Sequence, residues 1–396
     1  MTVHPAYHPS YRPRPRSMVR RLLTAESPLH RVDVVLLGAV LLLCALGALL
    51  VWSATRANSQ LTGDDGTEYL QRHVVNLVVA LVLAAGVMAV RPRALRVAAP
   101  VLYLVSLVEL AAVLSPLGRT YNGSHSWISI GGVSLQPAEL AKLTLCIALA
   151  VLLAERRRLA PHPGAVDVAL VLVVAAVPMS LVVLQPDLGT VMVFAAIVAG
   201  VLAVSGVSFG WLLGLVLATV GVGVAAVQLG ILEDYQVARF AAFADPTLDP
   251  KGVGYNTNQA RIAIGAGGLT GKGLFEGSQT SGQFVPEQHT DFIFTVAGEE
   301  LGLLGGGAII ALLAIVLWRG CAIALHAQRA GNVQGTLLAA GVVSWFAFQG
   351  FENIGMTIGI MPVTGLPLPF ISYGGTAMLA NCLAVGLLQH VRIHET

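Results

Sequence analysis

The sequence predicts an all-α, polytopic membrane protein with ten transmembrane helices and one long extracytoplasmic loop. Three observations predict it. Of the 396 residues, 56% are hydrophobic and only 11% are charged, whereas a soluble domain carries about 25% charged residues. The apolar residues gather into runs of the roughly 20 residues that a helix needs to cross a bilayer. The basic residues between those runs fall mainly on alternate connections, as the positive-inside rule requires. An ordinary cytosolic enzyme, a disordered chain and a nucleic-acid binder built on a basic face are thereby excluded. The net charge of +2 says little about partners. Cys44, Cys146, Cys321 and Cys382 each sit inside an apolar stretch, so no disulfide framework or zinc site is indicated.

Residues 1–32 are basic and proline-rich and read as a disordered cytoplasmic tail that touches anionic lipid at most weakly. The apolar run after it is too long for a signal-peptide core, and no small-x-small cleavage site follows. Residues 33–396 form the membrane domain. Its spans are expected at 33–54, 73–90, 95–114, 137–154, 165–184, 187–204, 209–229, 291–318, 333–358 and 367–390. Placing both termini in the cytoplasm puts Arg12, Arg14, Arg16, Arg20, Arg21 and Arg31 inside, with Arg91, Arg93, Arg96, Arg156, Arg157, Arg158, Arg319, Arg329 and Arg392. Outside lie Arg56, Arg72, Arg119, Arg239, Lys251, Arg261 and Lys272, four of them in a single long loop that the rule discounts.

That loop, 230–290, has a helix-like stretch at 259–265 and a glycine-rich turn at 267–273, and reads as a lid over a cavity between the spans. A second loop, 115–136, carries Tyr121-Asn-Gly-Ser-His-Ser-Trp127 and ends in Leu135-Gln-Pro-Ala-Glu-Leu140. The last phrase recurs as Leu184-Gln-Pro-Asp-Leu-Gly189. In both, proline suits the first helical turn, and Glu139 or Asp187 complements the positive helix N-terminus. Capping explains these acids as well as chemistry does.

Ionisable groups inside spans are costly and mark function. The candidates are Glu109, Lys142, Glu299, Glu300 and Glu352, with Asp291 at a mouth. Lys142 follows Glu139 by three residues, so the two either neutralise each other or leave the lysine to hold an anionic head group. Asp291, Thr295 and Glu299 fall at i, i+4 and i+8, roughly one helical face, with Glu299 about 12 Å deeper at 1.5 Å per residue. A carboxylate at position 291 is either a cap or a general base or metal ligand. His289 reads as its polar neighbour, and Glu352-Asn353 as glue between helices.

These motifs resemble the SEDS family of shape, elongation, division and sporulation proteins, which includes RodA, FtsW and SpoVE. The resemblance rests on Asn122-Gly-Ser-His-Ser-Trp-Ile128, Gln136-Pro-Ala-Glu-Leu-Ala-Lys142, Gln185-Pro-Asp-Leu-Gly-Thr190 and Arg239-Phe-Ala-Ala-Phe-Ala-Asp-Pro246. It continues through Gly271-Lys-Gly273, Pro286-Glu-Gln-His-Thr-Asp-Phe-Ile-Phe294, Gly298-Glu-Glu-Leu-Gly302 and Pro369-Phe-Ile-Ser-Tyr-Gly-Gly375. Asn353 to Pro362 and Gly365 to Pro369 look like the RodA branch. The resemblance implies a peptidoglycan glycosyltransferase of the bacterial cytoplasmic membrane that polymerises lipid II on its outer face during elongation. It also implies a class B penicillin-binding protein as transpeptidase partner, other elongation-complex proteins, and an essential aspartate that falls on Asp291. Where many members carry arginine before the tryptophan of the first motif, this chain has Ser126. The arginine–glutamine pair common before the second span reads Arg72-His73. Arg119 or Arg72 is left to replace the missing charge.

Such a transfer inverts the anomeric centre in one displacement. Asp291 is the expected base for the acceptor hydroxyl, a role that typically gives 10²–10⁴-fold. Lys142, Arg72, Arg261 or a divalent cation, magnesium or manganese, near Asp291 is expected to meet the leaving pyrophosphate. Gln136, Glu139, Gln185 and Asp187, with His289 and Glu299, complete the candidate head-group contacts. A lipid flippase or ion-coupled transporter is the main alternative, because buried acids and repeated phrases suit it. A scaffold that only recruits the transpeptidase is a third.

Overall fold

The structure, a computed structural model, describes residues 31–57, 66–121, 124–130, 133–159, 163–230 and 253–394. The tail expected over most of 1–32, and the motif Arg239 to Pro246, lie outside the described residues. Asp33–Thr396 forms one compact unit, distinct from Met1–Val32.

The helices are α1 (Val34–Arg56), α2 (Glu68–Met88), α3 (Pro92–Val113), α4 (Pro137–Leu159), α5 (Ala165–Val183), α6 (Leu188–Ser205) and α7 (Phe209–Gln228). They continue as α8 (Val253–Gly267), α9 (Ser278–Ser281), α10 (Ile293–Glu300), α11 (Gly302–Arg329), α12 (Val333–Ile358) and α13 (Gly375–Ile393). Eight of these, α1 to α6, α11 and α13, are long and apolar enough to cross a membrane, and α7 holds a shorter apolar stretch at Phe209–Ala225. Helix α12 is 26 residues long but carries Gln334, Gln349, Glu352, Asn353 and Thr357 on buried positions. All ten expected spans therefore correspond to helix, and two are corrected. The eighth is broken at Leu301 between α10 and α11, and the tenth starts at Gly375 rather than 367.

The long helices alternate in direction and define two ends. One end gathers Asp33, Arg96, Arg156, Arg157 and Arg319; the other gathers Arg56, Arg72, Arg119 and Asp291. Helices α4, α12 and α13 are mostly buried, whereas α2 turns Val75, Val78, Val79 and Val82 outward, as lipid-facing helices do. Gly47 on α1 lies so close to Ile371 that a Cβ there would come within 2.7 Å of its Cα. The loop expected at 115–136 is instead a small antiparallel sheet of β1 (Gly118–Tyr121), β2 (Ser124–Ile130) and β3 (Val133–Leu135), in that order. It lies at the Asp291 end, with Trp127 opposite Arg119 and Ser129 opposite Ser134.

At the other end a buried hub ties three helices. The Asp33 carboxylate caps α1 by accepting from Leu36 N–H at 3.0 Å. It also receives the Arg319 Nε of α11 at 2.9 Å. The Asp33 backbone exchanges two 2.8 Å bonds with the Gln389 amide of α13. Because the Asp33 side chain is 1% exposed, Arg319→Ala leaves a buried charge unpaired. We expect a loss of about 3 kcal/mol, read as a lower midpoint of thermal unfolding in detergent. Adding Asp33→Asn, which keeps the cap without the charge, should restore part of it.

Candidate active site

Two stretches of irregular backbone meet at the Asp291 end. The first, 287–292, folds on the Glu287 carbonyl, which accepts from the N–H groups of Thr290, Asp291 and Phe292 at 3.1–3.2 Å. The second, 359–374, is kept from helix by Pro362, Pro367 and Pro369. Gly359, at φ +79°, ends α12, a left-handed conformation that glycine adopts without a Cβ penalty.

Helix α12 holds both stretches with a buried row of amides. The Asn353 Nδ2 donates to the Asp291 carbonyl and to the Leu366 carbonyl, each at 2.7 Å. One turn back, the Gln349 Nε2 donates to the Pro367 carbonyl at 2.7 Å. The stretches also bond to each other, Tyr373 N–H donating to the His289 carbonyl at 3.0 Å. Asp291 itself is half-buried and precedes α10. Its Oδ2 would lie 3.3 Å from a Cβ placed on Gly365, whose φ is +79°. Gly365 thus leaves open the space beside the carboxylate.

The expectation that Asp291 and Glu299 share one helical face is corrected, because α10 begins only at Ile293. Glu299 is fully buried and accepts five bonds, all internal; the longest, from Ser278 Oγ to Oε1, is 3.4 Å. Oε1 accepts from Lys272 Nζ and Gln279 N–H, and Oε2 from Thr280 N–H and Thr280 Oγ1, each at 2.8 Å. It caps the short α9 and anchors the loop. The neighbouring Glu300 accepts from Ser53 Oγ at 2.5 Å. The glycine-rich turn threads into the break after these acids. Lys272 and Gly273 N–H groups donate to the Glu299 and Glu300 carbonyls at 3.0 and 3.1 Å, and Gly271 and Gly302 approach too closely for a Cβ on either.

Lys142 is fully buried and does not point outward. Its Nζ donates to Glu139 Oε1 at 2.7 Å and Gln349 Oε1 at 2.9 Å, and lies 5.2 Å from the Trp345 ring centroid. The lysine neutralises Glu139 and orients Gln349, so it acts on the 359–374 stretch from beneath. Asp187 caps α6, accepting from Thr190 N–H at 3.0 Å and Thr190 Oγ1 at 2.9 Å. The Gln136 backbone N–H donates to Thr376 Oγ1 at 3.1 Å. Gln185 is buried and donates to the Leu110 carbonyl at 2.9 Å. Arg261, exposed on α8, donates to the Gly359 carbonyl at 3.1 Å, matching the negative end of α12. Arg72, one turn into α2, pairs with Glu68. His289 is half-buried against Tyr69 and Tyr373, with ring centroids at 5.4 and 5.8 Å. Among the described residues no three His, Cys, Asp or Glu side chains come together as a metal site. The donors around Asp291 therefore do not make a protein-built cage for a divalent cation.

The arrangement offers a half-exposed carboxylate on a fixed backbone, with the exposed guanidinium groups of Arg72 and Arg261 at the same end. Sequence reading missed Asn353 and Gln349 as its supports. Their spacing of four residues puts both amides on one face of α12, and that is the signal that finds them.

The FtsW/RodA/SpoVE family model, described as a cell cycle protein, matches residues 34–396. Peptidoglycan glycosyltransferase MrdB of Escherichia coli (strain K12) is 35% identical over 364 residues, 92% of this chain and 94% of MrdB. Among solved structures, a chain of a peptidoglycan synthase complex that coordinates polymerization and crosslinking aligns with a TM-score of 0.75 at 32% identity, covering 92% of this chain and 98% of that one. The rod shape determining protein RodA of Thermus thermophilus aligns with a TM-score of 0.66 at 31% identity, covering 91% and 96%.

Two outcomes follow from this geometry. Gly365→Ala forces a left-handed alanine and crowds Asp291 Oδ2. Activity should fall about tenfold or more while circular dichroism stays unchanged. Burial pushes the His289 imidazole below its ordinary pKa of 6.5, against a smaller upward pull from Glu287. The unfolded chain then binds more protons at mildly acid pH, so this contribution to stability is full above pH 6.5 and is lost as pH falls. A pH series of thermal unfolding should show a shallower acid-side decline for His289→Gln than for the wild type.

Proposed function

The chain belongs to the FtsW/RodA/SpoVE family of cell cycle proteins, and from that premise we propose that it is a peptidoglycan glycosyltransferase which polymerises lipid II during cell elongation. The observation that carries the reading is the placing of Asp291. Its carboxylate is half-exposed beside Gly365, while its backbone is bonded to α12 through Asn353. A base so held meets the first demand of a single displacement, a fixed acceptor for the proton of the attacking hydroxyl. Arg72 and Arg261, both exposed at the same end, supply positive charge toward a leaving pyrophosphate. Pyrophosphate leaves readily, so no second carboxylate is needed as general acid, unlike in glycoside hydrolysis. A divalent cation bound beside Asp291 would neutralise phosphate charge, with phosphate oxygens and water completing its shell. No step depends on it.

Arginine placement supports an orientation with the Arg96–Arg156–Arg319 end in the cytoplasm of a bacterial cell and Asp291 on the outer side of the cytoplasmic membrane. A class B penicillin-binding protein, working within the elongation machinery, is the partner that crosslinks the product. The resemblance to a chain of a peptidoglycan synthase complex supports this partnership.

The test is polymerisation by the purified chain, with and without that partner, on lipid II in detergent or proteoliposomes. Wild type should yield glycan strands, and Asp291→Ala should lose at least about 10²-fold in rate at unchanged thermal stability. Movement of lipid II between leaflets without polymer would instead support a flippase. An Asp291→Ala variant as active as wild type would sink the base assignment and favour a scaffold.

A further inference from the structure

Helix α8 belongs to the long loop between spans, yet it is packed as part of the membrane domain. Ala260 and Ala263 join Val285, Phe292, Met356 and Val363 in a small buried cluster, so the helix backs the Asp291 turn through Phe292. Gly267 and Gly298 bring α8 against α10. A Cβ on Gly267 would collide with the Gly298 carbonyl oxygen, and one on Gly298 would come within 2.8 Å of Ile264 Cγ1. Arg261 bonds to the Gly359 carbonyl at the end of α12. The helix is therefore fixed, and so is the face that it turns away from the protein.

That face is largely apolar. Ile262 is 51% exposed, and Gly265 and Ala266 share its stripe and are exposed as well. Leu269, just past the helix, is 68% exposed and continues the stripe. It runs on to a neighbour at each side. Leu303 and Leu304, at the start of α11, are each 67% exposed, and their N–H groups donate to the Gly268 and Leu269 carbonyls at 2.9 and 3.1 Å. Ile358 and Ile360, exposed on either side of Gly359, adjoin the Arg261 end.

Helix lengths set the level of this surface. The Asp33–Arg319 pair joins α1 to α11 at the opposite end, next to the exposed Trp318, a residue type favoured at a membrane boundary. Leu303 lies sixteen residues from Arg319 along α11, about 24 Å at 1.5 Å per residue, which is less than the ~30 Å of hydrocarbon. Along α1 the full ~30 Å, counted from Asp33, ends at Ser53, whose hydroxyl bonds to Glu300. Leu303, Leu304 and the Leu269 bonded to them thus fall on the hydrocarbon side of that limit.

We propose that α8 is an interfacial helix whose Ile262–Leu269 face is seated in the lipid leaflet on the Asp291 side of the membrane. Lipid is the occupant because the stripe is continuous with the outward faces of two membrane helices. An exposed arginine beside an apolar stripe is the pattern of helices that lie in a membrane interface. The inference is independent of the reaction proposed above.

The test uses the full chain in phosphatidylethanolamine–phosphatidylglycerol proteoliposomes, with Cys321→Ala to remove the exposed native thiol. Nitroxide labels are placed singly on Ile262→Cys, Leu269→Cys and, as a reference on a membrane helix, Leu303→Cys. Oxygen should relax the labels at 262 and 269 in preference to a water-soluble nickel chelate, at a depth of about 5–10 Å below the lipid phosphates. Ala266→Cys replaces Leu269→Cys if that label disturbs the turn. With the class B penicillin-binding protein reconstituted alongside, the preference for oxygen should persist. A preference for the nickel chelate at 262 and 269 would put the face in water and overturn the proposal. Labels shielded from both reagents when the partner is present would make the face a protein interface, and would overturn it equally.

Discussion

Backbone that leaves the helix inside a membrane protein must find hydrogen bonds within the protein, because lipid offers none. In this fold the constraint falls on 287–292 and 359–374, and α12 meets it. Asn353 and Gln349 hold the carbonyls of Asp291, Leu366 and Pro367. Lys142 and Trp345 in turn fix Gln349 by bonding its Oε1 at 2.9 and 2.7 Å. A chain of buried polar groups therefore runs from Glu139 on α4, through α12, to the backbone of the candidate base. Removing any link strands a buried donor or acceptor, and such orphans cost more than the bond itself contributed.

This frame explains why so few of the buried charges touch the site directly. Glu299 saturates its carboxylate on the loop, Lys142 neutralises Glu139, and Asp33 is matched by Arg319. Each satisfies a local deficit that would otherwise be prohibitive away from water. What remains for chemistry is the group left half-exposed. The same polar residues that place α12 below the hydropathy of its neighbours are the ones that shape the site.

Much of this was legible in the sequence, and the failures have physical causes. The apolar runs located every span, because the bilayer imposes length and composition together. Asp291 and the basic residues near it were found through motifs. The break at Leu301 was not found: Gly302 sits among Gly305, Gly306 and Gly307, and in lipid such glycines usually signal close helix packing. Only the approach of Gly271 shows that this one ends a helix. The small sheet was also missed, although Asn122-Gly123 followed by alternating residues to Ile130 is a hairpin signal. Periodicity gave Glu299 a place on Asp291's face, since a periodic pattern assumes that the helix has already begun. The paired role of Lys142 was one of two open readings, and spacing alone does not say which way a side chain turns.

The break after Glu300 also divides the length of this span unevenly. Helix α11 alone has 28 residues, about 42 Å at 1.5 Å per residue, which exceeds the ~30 Å hydrocarbon thickness. The eight residues of α10 are thus surplus to a crossing by length, so the turn before them need not lie within hydrocarbon. A carboxylate on that turn escapes the cost that a charge within hydrocarbon carries.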